Sequence, residues 1–122
     1  MNPTLVLVID DSATVRNEVA TALAGFELLQ ATNGREGAEL IEGRADIALA
    51  ICDINMPEMT GIELLERIEG RAANPELKIL MLTTEGQPSI IKRARQLGAK
   101  GWIVKPFNAQ QLLAAARKLT AT

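Results

Sequence analysis

Five short apolar runs punctuate the chain, at residues 5–9, 28–31, 47–52, 79–82 and 102–104. Several are near-continuous rather than alternating, the pattern of strands buried on both faces of a parallel sheet. Helical periodicity fills the intervals. Val15, Val19 and Leu23, with Ala22 and Phe26 beside them, form a stripe opened by Asp11 or Ser12 as N-cap and closed near Gly25. A weaker helix covers residues 35–42 between Gly34 and Gly43. Gly61 precedes a third, with Ile62, Leu65 and Ile68 on one face and the Asn74-Pro75 turn after it. A fourth runs from Pro88 through Ile90, Ile91, Ala94 and Leu97 to Gly98, and a fifth covers 109–119 with Leu112, Leu113, Ala116 and Leu119 inward. Five strands alternating with five helices predict an α/β fold around a doubly wound parallel sheet. With 122 residues, 48% of them hydrophobic, the chain has enough apolar residues for a real core but no room for a second domain.

Composition removes whole classes of chemistry. Histidine is absent, which excludes Ser-His-Asp triads, zinc-protease helices and histidine phosphorelay modules. Tyrosine is absent too, and two Phe with one Trp make no platform for stacking bases or flavins, so no nucleic-acid partner is expected. The single cysteine, Cys52, can form neither an intramolecular disulfide nor a thiolate zinc site, and a reducing compartment is the simplest setting. The apolar runs are too short to span a bilayer and the N-terminus lacks a signal-peptide pattern, so no membrane insertion and a cytoplasmic location are expected. The net charge of −2 hides an asymmetry: residues 1–85 hold all 15 acids, whereas residues 86–122 hold seven bases and no acid.

In open parallel sheets ligands bind beyond the carboxyl ends of the strands. Those positions are occupied by Asp10-Asp11 after the first run, Asp53 after the third, Thr83-Thr84 after the fourth and Lys105-Pro106 after the fifth. The second run ends in the uncharged Ala31-Thr32-Asn33, as suits an edge strand outside the site. Side by side, three carboxylates, a hydroxyl and an ammonium would converge on one cleft. Carboxylates that close repel and need a cation, and Mg²⁺ takes such oxygen ligands while keeping waters and a substrate phosphate. Asp53, alone on its strand end, is the candidate nucleophile for an acyl phosphate. Asp10 and Asp11 are candidate metal ligands. Each element alone has a plainer reading: a helix N-cap for Asp10-Asp11-Ser12, an Asx turn after Asp53, a β-favouring pair at Thr83-Thr84 and a solvated charge at Lys105. Their joint placement favours the site.

Leu7-Val8-Ile9-Asp10-Asp11-Ser12, Asp53-Ile54-Asn55-Met56-Pro57 with Gly61, Met81-Leu82-Thr83-Thr84-Glu85, and Gly101-Trp102-Ile103-Val104-Lys105-Pro106-Phe107 together resemble response-regulator receiver domains. The resemblance covers nearly the whole chain and is nearest to the single-domain CheY-like chemotaxis type. It implies a flavodoxin-like sheet of order 2-1-3-4-5 flanked by five helices, and one receiver domain over residues 1–122 with no output domain. It implies Asp53 as the phosphoacceptor, charged by a histidine kinase. Mg²⁺ would be held by Asp10, Asp11, Asp53 and the main-chain carbonyl of Asn55. Lys105 would pair with the phosphoryl group, and Thr83 would move to bond it, vacating space for the aromatic at 102. The family has Tyr or Phe there most often; this chain has Trp102, which is larger and lacks the phenol hydroxyl. Asn55, Thr84 and Glu85 are implied to tune the lifetime, with polar Asn55 and Glu85 pointing to a short-lived acyl phosphate and Thr84 narrowing access. A cis Lys105-Pro106 bond is also implied.

The acid-free segment, with Lys92, Arg95, Lys100, Trp102 and Lys118, reads as an electropositive face around the fourth helix, fifth strand and fifth helix. In the resembled family this face binds the output target, which in chemotaxis is the flagellar motor switch. The expectation is a monomeric signalling switch rather than an enzyme beyond its own phosphorylation and dephosphorylation. Two alternatives are a receiver acting as phosphate sink in another pathway and a Mg²⁺-dependent phosphatase working through an aspartyl phosphate. The phosphatase expects a second carboxylate where this chain has Asn55. The remaining polar helix residues, Glu36, Glu39, Glu63, Glu66, Glu69, Arg67 and Arg71, read as solvated faces with weak i,i+4 pairs. Cys52, Met56 and Met81 read as packing residues.

Overall fold

Four capping side chains decide where the chain leaves a strand and enters a helix in the computed structural model, which describes residues 3–84 and 88–121. Ser12 accepts from the Val15 N–H and opens α1 (Ala13–Ala22), so the capping task falls to Ser12 and not to Asp11. Asn33 caps α2 (Gly34–Gly43), and Thr60 with Glu63 forms a reciprocal capping box on α3 (Gly61–Ile68). Asn108 accepts from the Gln110 and Gln111 N–H groups and opens α5 (Ala109–Thr120). Each such cap is worth about 1 kcal/mol, and each fixes the point at which a strand end becomes exposed loop. The fourth helix, α4, spans Pro88–Gln96. Gly98, at φ +104, turns the chain after it, where an L side chain would be strained.

The strands are β1 (Leu5–Ile9), β2 (Glu27–Ala31), β3 (Ile47–Asp53), β4 (Lys78–Thr83) and β5 (Gly101–Val104). All pairings are parallel and the order is β2-β1-β3-β4-β5, as the resemblance implies. The near-continuous apolar runs now have their cause. In β1, Leu5, Leu7 and Ile9 face a core beneath α2, α3 and α4 with Ile41, Leu64, Leu65 and Ile68. Val6 and Val8 face a second core beneath α1 and α5 with Val19, Leu23, Leu112 and Ala116. Burying each such side chain contributes about 1.5–3 kcal/mol, so both faces of the central strands must be apolar.

Two close approaches seat helices against the strands that carry the site. A Cβ at Gly37 would lie 2.5 Å from Ile9 Cδ1, and one at Gly61 would lie 2.6 Å from the Asp53 carbonyl oxygen. The helix-face residues are largely exposed as read, but the i,i+4 pairing needs correction. Arg67 pairs with Glu42 of α2 at 3.0 Å and Arg93 pairs with Glu66 of α3 at 3.0 Å, so these charges tie neighbouring helices together. Among the described residues no ion pair has i,i+4 spacing. The periodicity of one helix cannot reveal which partner the adjacent helix offers. No helix is long and apolar enough to cross a membrane among the described residues.

Candidate functional site

Sheet order and register bring the strand ends together. Ile9 is level with Cys52, so Asp10 follows β1 beside Asp53 at the end of β3. Asp53 is level with Leu82, and Thr83 with Val104, which places Thr83 next along and Lys105 just past the end of β5. The Lys105 N–H donates to the Thr83 carbonyl at 2.7 Å, and the Ile54 N–H to the Leu82 carbonyl at 2.9 Å. The Lys105-Pro106 bond is cis.

From the edge of the sheet the Lys105 ammonium reaches across to two carboxylates, 3.0 Å from Asp10 Oδ2 and 3.2 Å from Asp53 Oδ1. Asp10 is 0% and Asp53 3% exposed, whereas Asp11 is open to solvent. The Asp10 carboxylate also accepts the Ser12 N–H at 2.9 Å, and Asp53 accepts the Asn55 N–H at 3.3 Å. Buried polar groups that keep their charge need such partners.

The electrostatics follow from this crowding. Burial, and then the charge of Asp10, push the Asp53 carboxyl above its ordinary value; Lys105 and the Asn55 N–H offset part of the rise. Burial alone would lower the Lys105 ammonium, but its hydrogen bond to Asp10 and the charges of Asp53 and Asp10 outweigh it, leaving the group above its ordinary value. Burial raises the Cys52 thiol far above its usual range, with Asp53 and Asp10 adding to the effect, so Cys52 is packing as read.

One carboxylate oxygen from each of Asp10, Asp11 and Asp53 lies within 4.8 Å of the others. Three hard oxygen donors, two buried and one at the mouth, suit a divalent cation that keeps water on its open side. One ammonium against three carboxylates leaves the cluster short of positive charge, which a cation would supply.

The other sequence-derived positions are less tightly gathered. The Asn55 amide donates to Thr84 Oγ1 at 3.2 Å, and both side chains are exposed. Glu85 lies outside the described residues. Trp102 is 38% exposed, and the Arg95 guanidinium lies over its ring, 5.3 Å from the centroid. With Pro88, Ile91, Lys92 and Gln96 they line an open cavity of about 600 Å³ between α4 and β5. Lys100 and Lys118 are exposed but do not line it. Sequence reasoning missed Arg16, whose Nη1 donates to the Asp10 carbonyl at 2.7 Å. An isolated arginine on a helix carries no signal that its target is a main-chain oxygen.

Residues 6–117 match the family described as response regulator receiver domain. The chain belongs to that family. This receiver domain is 38% identical over 109 residues to chemotaxis protein CheY1 of Helicobacter pylori, covering 87% of this chain and 88% of the relative. It is 37% identical over 119 residues to chemotaxis protein CheY of Thermotoga maritima, covering 94% and 96%. Among solved structures, chemotaxis protein CheY4 of Vibrio cholerae superposes with a TM-score of 0.88 at 36% identity, covering 96% of this chain and 98% of that one. Receiver domains are signalling switches rather than enzymes that turn over a separate substrate. In this one the acidic cluster of Asp10, Asp11 and Asp53 fits the phosphoaspartate site of phosphorylation-activated two-component signalling.

Proposed function

We propose that Asp53 accepts a phosphoryl group from the phosphohistidine of a partner kinase, and that the modified domain is read by a partner on the α4-β5-α5 face. The observation that carries this reading is Lys105 Nζ held between Asp10 and Asp53, with Asp11 beside them. In the transfer, an Asp53 carboxylate oxygen bonds to phosphorus as the P–N bond to imidazole breaks, and the bond pair stays with the departing nitrogen. Asp10, Asp11, Asp53 and the Asn55 main-chain carbonyl would hold Mg²⁺. That ion would neutralise charge on the transferring group.

Lys105 lies 3.2 Å from Asp53 Oδ1 and would pair with a phosphoryl oxygen on that carboxylate. Thr83, buried at the end of β4, is the hydroxyl that would bond a second oxygen. Its movement would free space towards Trp102, which now stands outward under Arg95. Asn55 and Thr84, joined across the mouth, would set how readily water reaches the acyl phosphate. The basic residues Lys92, Arg95, Lys100 and Lys118 with Trp102 suit an acidic partner segment. The chemotaxis names of the relatives favour a motor-switch protein as that partner and the cytoplasm as the location.

The test is acyl-phosphate formation from acetyl phosphate in Mg²⁺, with a motor-switch peptide added to each form. Wild type should label, Asp53→Asn should not, and the labelled form should bind the peptide more tightly. Labelling that survives Asp53→Asn would refute the acceptor assignment, and equal peptide affinity would refute the switch.

A further inference from the structure

The Asp10 peptide is held at every polar atom. Its N–H donates to the Ala31 carbonyl at 3.2 Å, and its carboxylate takes the Ser12 N–H and the Lys105 ammonium. Its carbonyl accepts from Arg16 Nη1 at 2.7 Å, a short charge-assisted bond. Arg16 is itself anchored: its main-chain N–H bonds the Ser12 carbonyl at 3.0 Å, and its Nε donates to Gln30 Oε1 of β2 at 3.0 Å. The half-buried guanidinium makes no ion pair with a carboxylate among the described residues. One fork-shaped side chain thus ties the end of β1 to α1 and to β2, at the turn that carries Asp10 and Asp11.

That turn is under load. Three carboxylates with oxygens within 4.8 Å of one another repel, and since Asp11 is exposed, opening the turn outward would relieve the repulsion. We propose that Arg16 is a positioning residue that holds the Asp10-Asp11 turn closed against this repulsion, so that a divalent cation meets a preformed oxygen set. The inference rests on the metal-site reading above. Two effects of opposite sign separate the hypotheses. A guanidinium acting only through its charge would oppose a nearby cation, so its removal would tighten Mg²⁺ binding. A guanidinium acting through the Asp10 carbonyl would, when removed, weaken it. Outer-shell partners of metal ligands commonly account for about 10- to 100-fold in affinity.

The experiment is calorimetric Mg²⁺ titration of wild type, Arg16→Ala, Arg16→Lys and Gln30→Ala, with urea melts in chelator to confirm folding. Arg16→Ala should weaken Mg²⁺ binding about tenfold. Arg16→Lys, which keeps a donor but loses the fork, should fall between. The Mg²⁺ concentration for half-maximal phosphorylation by acetyl phosphate should rise, while the rate at saturating Mg²⁺ should stay near wild type. Unchanged or tighter Mg²⁺ binding by folded Arg16→Ala would overturn the proposal. Should Arg16→Ala not fold, Gln30→Ala decides, weaker binding supporting the positioning role and unchanged binding overturning it. Wild-type protein that takes up no Mg²⁺ would overturn the metal-site reading itself.

Discussion

Lys105→Met removes the one cation that bridges two buried carboxylates while keeping most of the apolar stem, and its cost can be bounded from the structure. Attraction to Asp10 at 3.0 Å and Asp53 at 3.2 Å is lost, and repulsion between carboxylates within 4.8 Å of each other is left uncompensated. At an effective dielectric near 20 that repulsion is about 3.5 kcal/mol. Breaking a buried pair from one side costs about 3–5 kcal/mol, and the partial exposure of Lys105 reduces this. Proton uptake limits the repulsive part. A carboxyl with an ordinary value of 3.8 can be protonated at pH 7 for about 4.4 kcal/mol, at 1.36 kcal/mol per unit, and at pH 5 for about 1.6 kcal/mol.

The expected loss is therefore about 2–4 kcal/mol at pH 7 and smaller at pH 5, where protonating one carboxyl costs only about 1.6 kcal/mol. The ammonium is held above its ordinary 10.5, so its contribution is intact throughout this range and fades only as pH rises through the raised value; the acid-side change must come from the carboxylates. Urea unfolding of wild type and variant at both pH values, with and without Mg²⁺, gives the answer. Mg²⁺ should shrink the pH 7 loss. An equal loss under all four conditions would refute the charge argument and leave only lost packing of the lysine stem.

Other outcomes follow from single residues. Gly61→Ala should destabilise by about 1–3 kcal/mol in urea melts because the new Cβ meets the Asp53 carbonyl, Met81 Cε and Ile54 Cα, whereas Gly43→Ala, with open space around it, should be neutral or mildly stabilising. Since native Asp53 holds its proton more tightly than the unfolded chain does, it adds stability as pH falls through its raised value, the gain complete below 3.8. Asp53→Asn should lose that gain, read as the wild-type minus variant melting temperature across an acid series. Cys52 should resist Ellman's reagent in the native state and react only on unfolding. Arg95→Ala should change the emission of Trp102 and cost about 0.5–1 kcal/mol of local interaction; an unchanged spectrum would show that the guanidinium does not stay over the indole in solution.

The parallel sheet was legible because double-sided burial writes itself as unbroken apolar runs such as 47–52, and the site was legible because strand ends are where charged residues interrupt those runs. Asp10, Asp53, Thr83 and Lys105 are each one step past an apolar stretch, and parallel register sets Asp10 level with Asp53, Thr83 one position further on and Lys105 two. What stayed hidden depends on two elements meeting through long, flexible side chains. Arg16 reaching a main-chain oxygen, Arg67 finding Glu42 and Arg95 lying over Trp102 have no periodic or compositional trace. Their partners are fixed by how helices are laid on the sheet. Ser12 rather than Asp11 taking the cap was likewise left open by sequence, since both side chains can accept from the same turn.

The separation of charge along the chain has a kinetic meaning. A phosphoryl donor is an anion, and it must approach a mouth with three carboxylates and one ammonium. For a small donor in Mg²⁺, the bound ion would bring the mouth close to neutrality, so added inert salt should change the encounter little. An acidic partner on the proposed face would be drawn in by Lys92, Arg95 and Lys100, and the same salt should slow its association. One ionic-strength series, run on both reactions, should therefore yield a shallow slope for the first and a falling one for the second.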